Sequence, residues 1–313
     1  MKTYGLIGYP VKHSLSALMH NAAFKELKVE AHYRLFEVAP EDLEDFLARD
    51  KKIKDKEGNS FSVKDLSGFN ITIPHKVKAY EILAKNPLLK NITVRQYPYV
   101  FLSGAINTVK IENNKIEFEN TDTMGFMRSL REDLKFDLTD KNIFVFGCGG
   151  AGRAVIAGLT AYLVGLVKDY KPINKIYVYD KNKESLDSAT ANFDRFEDVK
   201  KKLEFIDSQS QIADKIKNCQ LLVNASPAGM KEDDASVLKK DLLHQDLSVY
   251  DVVYNRETQL IKDAKSLGLN DSGGLGMLLY QGAAAFELWT GKEAPVEVMR
   301  GALEEGLKEC RKK

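Results

Sequence analysis

Few folds place a glycine-rich hexapeptide between a short apolar strand and an apolar helix. This chain does so at Gly147-Cys148-Gly149-Gly150-Ala151-Gly152, after the run Asn142 to Phe146 and before a helix-period segment opening near Arg153. A G-x-G-x-x-G run is weak by itself, but strand, loop and helix in this order open a dinucleotide-binding βαβ unit. Gly147 permits the tight turn, Gly149 lets the backbone approach a pyrophosphate, and Gly152 lets helix and strand pack closely. Gly150 and Ala151 complete the loop, where N–H groups at the helix start bind an anion. A glycine turn without a ligand and the nucleotide loop of a methyltransferase are the alternatives to a nicotinamide dinucleotide.

Three further runs, Lys175 to Tyr179, Gln220 to Asn224 and Ser248 to Tyr254, are nearly continuous in hydrophobicity. That predicts parallel strands covered on both faces. Helical patterns separate them, so residues 123–276 read as a Rossmann, doubly wound dinucleotide-binding domain. Asp180 ends the second strand, where a carboxylate accepts hydrogen bonds from the adenosine ribose hydroxyls. It lies 33 residues after Gly147, beyond the usual interval of about 20. A long helix and a connection through Tyr170-Lys171-Pro172 take up the difference. The alternative for Asp180 is an ordinary turn or N-cap aspartate. Asn224-Ala225-Ser226-Pro227-Ala228-Gly229-Met230 follows the third strand, and ligands of open α/β sheets sit beyond the carboxyl ends of strands. Asn224 and Ser226 therefore join the candidate cofactor contacts.

At 313 residues the chain exceeds one comfortable core, so two domains are expected. Lys+Arg 46 against Asp+Glu 45 gives no electrostatic footprint for nucleic acid or an anionic membrane. The three separated cysteines, Cys148, Cys219 and Cys310, form neither a metal spacing nor a disulfide set, which suits a reducing, cytoplasmic setting. The apolar stretch Ala154 to Val167 is too short to span a bilayer. In the first half, Tyr4 to Gly8 reads as a strand and Leu15 to Leu27 as a helix with Ser14 or Ser16 as its N-cap. The charged stretch Asp50 to Ser67 reads as a solvated connection. Phe69 to Ile73 reads as a strand ended by Pro74, and Asn86 to Gly104 shows no clear period. Near the end, Met277 to Leu288 and Pro295 to Lys308 read as helices.

Several polar motifs lie outside the dinucleotide unit. In order they are Ser14 and Ser16 around Leu15, Asn70-Ile71-Thr72-Ile73-Pro74-His75-Lys76, Gly104-Ala105-Ile106-Asn107-Thr108, and Asn120-Thr121-Asp122-Thr123-Met124-Gly125. Asp251-Val252-Val253-Tyr254 and Gln281-Gly282-Ala283-Ala284-Ala285-Phe286 follow. Together and in this order they resemble the shikimate dehydrogenase family, including its shikimate/quinate branch, from Gly5 to Gly291. The resemblance implies Lys76 and Asp122 as the catalytic pair, with the lysine exchanging a proton with, or stabilising, the oxygen at the reacting carbon. It implies that Ser14, Ser16 and Tyr254 hold a carboxylate and that Thr72, Asn107 and Gln281 hold ring hydroxyls. Gly274 joins the cofactor set by the same route. For any single serine, helix capping is the competing reading; for a lone Lys or Asp it is a solvated surface charge. His13, His20 and His75 have no metal spacing and read as motif neighbours or packing residues, so no metal is expected. Three departures stand out: Ala17 where the family has proline, a long Lys76–Asn107 interval, and no proline after Tyr254.

The expected architecture is α/β with two domains and a cleft between them. An N-terminal α/β substrate domain (1–122, completed by helices in 277–313) accompanies the Rossmann domain (123–276). The expected reaction is reversible reduction of 3-dehydroshikimate to shikimate with NAD or NADP, as part of chorismate and aromatic amino acid biosynthesis. Quinate is a possible further substrate, and the protein is a monomer or homodimer. Asp180 favours NAD over NADP. A non-catalytic ligand-sensing relative is the remaining alternative; such a protein would have lost Lys76 or Asp122, and both are present.

Overall fold

The computed structural model describes residues 1–85, 93–113, 115–167 and 172–310. The chain divides into two compact units, Met1–Gly125 with Leu279–Lys313, and Phe126–Leu278.

The first unit opens with β1 (Lys2–Gly8), α1 (Ser16–Glu26), β2 (Ala31–Glu37) and α2 (Leu43–Arg49). Next come the small hairpin β3 (Ile53–Lys54) and β4 (Ser60–Phe61), β5 (Gly68–Ile71) and α3 (Lys76–Lys85). The strand β6 (Thr93–Gln96), α4 (Pro98–Ser103), β7 (Thr108–Glu112) and β8 (Lys115–Glu119) precede α5 (Thr121–Glu132). Its main sheet has the order β2-β1-β5-β7-β8-β6, with β7 antiparallel to both β5 and β8.

Alternation along β1 divides the core by face. Ile7 points with Phe36, Phe46 and Phe69 into a cluster under α2 and α3. Tyr4 points the other way and stacks on Phe24 of α1 and on Trp289. Trp289 belongs to α11 (Leu275–Thr290), which begins at the end of the second unit and leads to α12 (Val296–Cys310). The indole donates to the Val109 carbonyl at 3.0 Å, so this large ring is packed and satisfied together.

The second unit holds β9 (Asn142–Phe146), α6 (Gly150–Thr160), β10 (Lys175–Tyr179), α7 (Lys183–Phe193), α8 (Glu197–Lys202) and β11 (Leu203–Ile206). It continues through α9 (Ile212–Ile216), β12 (Leu221–Asn224), β13 (Ser248–Asp251), α10 (Gln259–Ser266) and β14 (Asp271–Gly273). All six strands are parallel in the order β11-β10-β9-β12-β13-β14. The order reverses at β9, so the loops after β9 and β12 lie side by side, the place where such sheets take ligands. Phe144, Leu222 and Val249 are fully buried between the helix layers.

Two expectations need correction. Neither Ser14 nor Ser16 caps α1: the cap position falls on Leu15 and no side chain caps it. The Ser14 hydroxyl instead bonds the Ser16 hydroxyl at 3.1 Å. The stretch Asp50 to Ser67 is more than a solvated connection. It holds the β3–β4 hairpin, buries Ile53, Asp55, Ser62 and Leu66, and is pinned by ion pairs from Arg34 to Asp55 and Glu57. Its charges satisfy one another locally, which composition alone does not show. Of the unassigned stretch Asn86 to Gly104, residues 86–92 lie outside the described residues and the rest forms β6 and α4; Tyr170 and Lys171 also lie outside them. No helix among the described residues is long and apolar enough to cross a membrane.

Candidate functional site

In the first unit the polar motifs converge at strand ends and helix starts. Lys76 is the first residue of α3, just beyond β5, and Asp122 is the second residue of α5, just beyond β8. A lysine in a first helical turn meets the positive end of the helix dipole and is disfavoured there. The Asp122 carboxylate offsets this, accepting from Lys76 Nζ at 2.5 Å. Both side chains are mostly withdrawn from water, at 12% and 7% exposure. A pair so buried is retained at a desolvation cost, unlike a surface ion pair.

Asn107, in the turn entering β7, is held by hydrogen bonds at both ends of its amide. Its Oδ1 accepts from Thr121 N at 2.7 Å, which caps the start of α5. Its Nδ2 donates to Thr121 Oγ1 at 3.0 Å and to Gln281 Oε1 at 3.4 Å. Gln281 sits on α11, so the last helices bring it to the residues of the first. Thr72, half-buried beyond β5, donates its N–H to Ile7 O at 2.9 Å. Ser14 and Ser16 adjoin at the start of α1. His75 is a packing residue: its Nε2 donates to the Val38 carbonyl at 2.6 Å, and burial pulls its pKa down. His20 is buried, neither ring nitrogen has a partner, and burial lowers its pKa to about 3.

In the second unit Gly147 turns with φ +90°, and Gly149 caps α6. A side chain on Gly152 would begin 2.0 Å from the Gly147 carbonyl oxygen, so helix and loop approach as only glycine allows. Space is open over Gly149, and the first turn of α6, with Gly150 and Ala151, carries no acidic residue. The loop therefore fits a pyrophosphate. Asp180 is fixed beside it, accepting from Cys148 N at 2.8 Å and from Asn182 N at 2.9 Å. The second bond keeps the turn reading of Asp180 alongside the ribose reading. Burial and the nearby Asp180 carboxylate push the Cys148 thiol above its ordinary range, which makes it unreactive.

Asn224 and Asp251 stand opposite each other at the ends of β12 and β13. Asn224 Nδ2 donates to Asp251 Oδ1 at 3.0 Å, while Asn224 Oδ1 accepts from both the N–H and the hydroxyl of Ser226. Asp251 also accepts from Val253 N at 3.0 Å and from the Thr258 hydroxyl at 2.6 Å. It thus ties the 224–230 loop to the loop carrying the half-buried Tyr254. Gly274 N donates to the Val253 carbonyl at 3.2 Å, joining the same loops. Asp251 has no role among the motif residues named above; its signal in the sequence is a carboxylate interrupting an otherwise apolar run, and the strand ends at it.

Burial, opposed by the Thr258, Val253 and Asn224 hydrogen bonds, raises the Asp251 pKa from 3.8 to about 6. A carboxyl whose folded pKa is raised stabilises the fold fully below its unfolded pKa, and that contribution is lost as pH rises through the folded value. Unfolding midpoints should therefore carry a component that falls between about pH 4 and pH 6. Asp251→Asn keeps the Oδ1 acceptor and turns an amide toward Thr258, so it should fold and lack that component. An unchanged slope in Asp251→Asn would assign the pH dependence elsewhere.

Residues 6–88 match the family model described as the shikimate dehydrogenase substrate binding domain, and residues 274–304 match that of the shikimate 5'-dehydrogenase C-terminal domain. The shikimate dehydrogenase (NADP(+)) of Methanopyrus kandleri is 38% identical over 97% of this chain and 95% of its own length. The chain belongs to the shikimate dehydrogenase family. Solved structures agree: the Aquifex aeolicus shikimate dehydrogenase superposes with a TM-score of 0.75 at 34% identity, covering 96% of this chain and 97% of that one. A quinate dehydrogenase from Corynebacterium glutamicum in complex with NAD gives 0.76 at 26% identity, covering 97% and 99%.

Proposed function

We propose that this family member catalyses the reversible, nicotinamide-dependent interconversion of 3-dehydroshikimate and shikimate, on the chorismate route to aromatic amino acids. The observation that carries the reading is the buried Lys76–Asp122 pair at 2.5 Å, built from two helix starts 46 residues apart. Residues 1–122 with 277–313 take the substrate, and 123–276 take the dinucleotide. The nicotinamide, when bound, supplies or accepts the hydride. Lys76 holds the proton at the reacting C3 oxygen, and Asp122 orients the ammonium and accepts from the neighbouring hydroxyl. Ser14, Ser16 and Tyr254 donate to the carboxylate, while Thr72, Asn107 and Gln281 bond ring hydroxyls. Hydroxyls and amides suit a polyhydroxy acid because they leave no unpaired charge in the site. Gly147 through Gly152 cradle the pyrophosphate, with Asn224, Ser226 and Gly274 contacting the cofactor beyond it. The well-separated cysteines, two of them buried and free, support a cytoplasmic enzyme.

For the cofactor we propose NAD in preference to NADP. The Methanopyrus kandleri relative is named for NADP(+), whereas the Corynebacterium glutamicum quinate dehydrogenase is described with NAD. The reading rests on Asp180, held in place by two backbone N–H groups. A fixed carboxylate bonds ribose hydroxyls and opposes a 2′-phosphate. No arginine follows to clamp that phosphate: the sequence continues Lys181-Asn182-Lys183, and Lys183 pairs with Asp187 at 3.5 Å. Assays crossing shikimate and quinate with NAD and NADP test both readings. Wild type should turn over shikimate with the higher kcat/KM for NAD, and Asp180→Asn should shift the ratio toward NADP by about tenfold. Absence of shikimate turnover with either cofactor would overturn the activity. A wild-type preference for NADP would overturn the cofactor assignment alone, and comparable turnover of quinate would place the enzyme in the quinate/shikimate branch.

A further inference from the structure

Beside Asn107, the first residue of β7, Thr108, carries a fully buried hydroxyl. The antiparallel register sets it directly opposite Asn70 of β5. Its Oγ1 accepts from Asn70 Nδ2 at 2.9 Å, and it lies 3.1 Å from Asn107 Oδ1 and 2.9 Å from Thr121 Oγ1. All four residues belong to the first unit and are buried. Backbone groups whose roles cannot be reversed fix the orientation of both amides. A carbonyl only accepts, so the Asn70 atom 3.3 Å from Asn107 O is the nitrogen. An N–H only donates, so the Asn107 atom 2.7 Å from Thr121 N is the oxygen. Because Asn70 donates to Thr108, the threonine keeps its own proton to give to Asn107 Oδ1.

We propose that Thr108 is a positioning residue for the substrate: with the Thr121 N–H it holds the Asn107 amide oxygen-inward, so that Asn107 meets a ring hydroxyl as a donor. This role rests on the substrate reading above, in which Asn107 and Gln281 take ring hydroxyls. The Asn107 oxygen receives Thr121 N at 2.7 Å, Thr108 Oγ1 at 3.1 Å and Thr121 Oγ1 at 3.2 Å, so its two lone pairs are already taken. The nitrogen has two protons. One goes to Thr121 Oγ1 at 3.0 Å, and the other faces Gln281 Oε1 at a long 3.4 Å. That second proton is weakly held, and it is the one a ring hydroxyl can take over. A hydroxyl that accepts from Asn107 still has its own proton to give, and the Asp122 carboxylate accepts it. An amide turned the other way would present its oxygen and compete with Asp122 for the same proton. Thr108, with no exposed surface, touches no substrate atom; it acts through Asn107.

Thr108→Val removes the hydroxyl and keeps the branched shape. It should raise the shikimate KM by roughly 3–10-fold, the scale of one lost neutral hydrogen bond, with much less change in kcat and none in cofactor KM. Thr108→Ser keeps the hydroxyl and should restore the wild-type KM. Because the effect travels through the Asn107 amide, Thr108→Val added to Asn107→Ala should raise KM little beyond Asn107→Ala itself; a merely structural loss would multiply. Three results would each overturn the proposal while leaving the activity standing: a wild-type KM in Thr108→Val, a KM in Thr108→Ser as high as in Thr108→Val, or multiplicative effects in the double variant. A wild type inactive on shikimate would overturn the activity and this role with it. If Thr108→Val fails to fold, Thr108→Ala deletes the same hydroxyl without placing a methyl against the two amides, and an unchanged shikimate KM there is decisive against it.

Discussion

Lys76→Ala should lower kcat for shikimate by roughly 10²–10⁴-fold, the usual scale for a lost general acid–base. The substrate KM should move far less, because the hydroxyl and amide contacts of Ser14, Ser16, Asn107 and Gln281 do not involve the ammonium. The alanine variant also strands the Asp122 carboxylate, 7% exposed, without its cation, and an unpaired buried charge costs about 3–5 kcal/mol. Stability must therefore be measured beside activity, and Lys76→Arg separates the two effects. Arginine restores the charge facing Asp122, so the variant should recover stability. It cannot surrender a proton near neutral pH. If Lys76 transfers the proton, kcat of Lys76→Arg stays close to that of the alanine variant. If the positive charge alone stabilises the oxyanion, kcat recovers with stability. A folded Lys76→Ala retaining most of its kcat would remove the lysine from the chemistry altogether.

How legible each part was in the sequence follows from how it is buried. The β9, β10, β12 and β13 runs were readable because parallel strands covered on both faces become continuously apolar. Two of their ends stood out for the same reason: Asn224 and Asp180 are polar residues where an apolar run stops. The fourth run continues to Tyr254 in sequence, past Asp251, where the strand ends. The β7–β8 hairpin is harder to read. Lys110, Glu112, Lys115 and Glu117 alternate with its core residues and disguise it as surface. Asn113, at φ +48°, lies in its turn, a conformation asparagine tolerates. The catalytic pair could be named because Lys76 and Asp122 lie inside polar motifs, and Lys76 opposes the dipole of its own helix. The buried Tyr33–Asn70 hydrogen bond could not be found that way. Asn70 is two strands away in space and 37 residues away in sequence. That relation exists only once strand order and register are set, and within β2 a tyrosine is an ordinary core residue.

The largest effect on the cofactor side should come from Gly147→Val. Gly147 has φ +90°, a conformation costly for any L side chain and most of all for a β-branched one. A Cβ there would also meet Ser226 N at 2.8 Å and the Ala225 carbonyl carbon and oxygen at 2.9 Å. Those atoms are backbone on the neighbouring β12 loop, which Asn224 and Asp251 hold in place, so they cannot turn aside as a side chain would. Backbone strain of about 1–3 kcal/mol adds to overpacking of about 1–3 kcal/mol. The chain can answer by losing that much stability in the second unit, or by moving the 147–152 loop away from β12 and spoiling the pyrophosphate cradle. Loop displacement should weaken dinucleotide binding by at least tens of fold, since each 1.4 kcal/mol is a factor of about ten. The two are separable. Strain absorbed by the fold lowers the unfolding midpoint, whereas loop displacement preserves it and raises only the dissociation constant for NAD. The Lys76–Asp122 pair is built wholly from the first unit and should keep its geometry. A Gly147→Val protein with a wild-type unfolding midpoint and NAD dissociation constant would show that the dinucleotide does not depend on this loop.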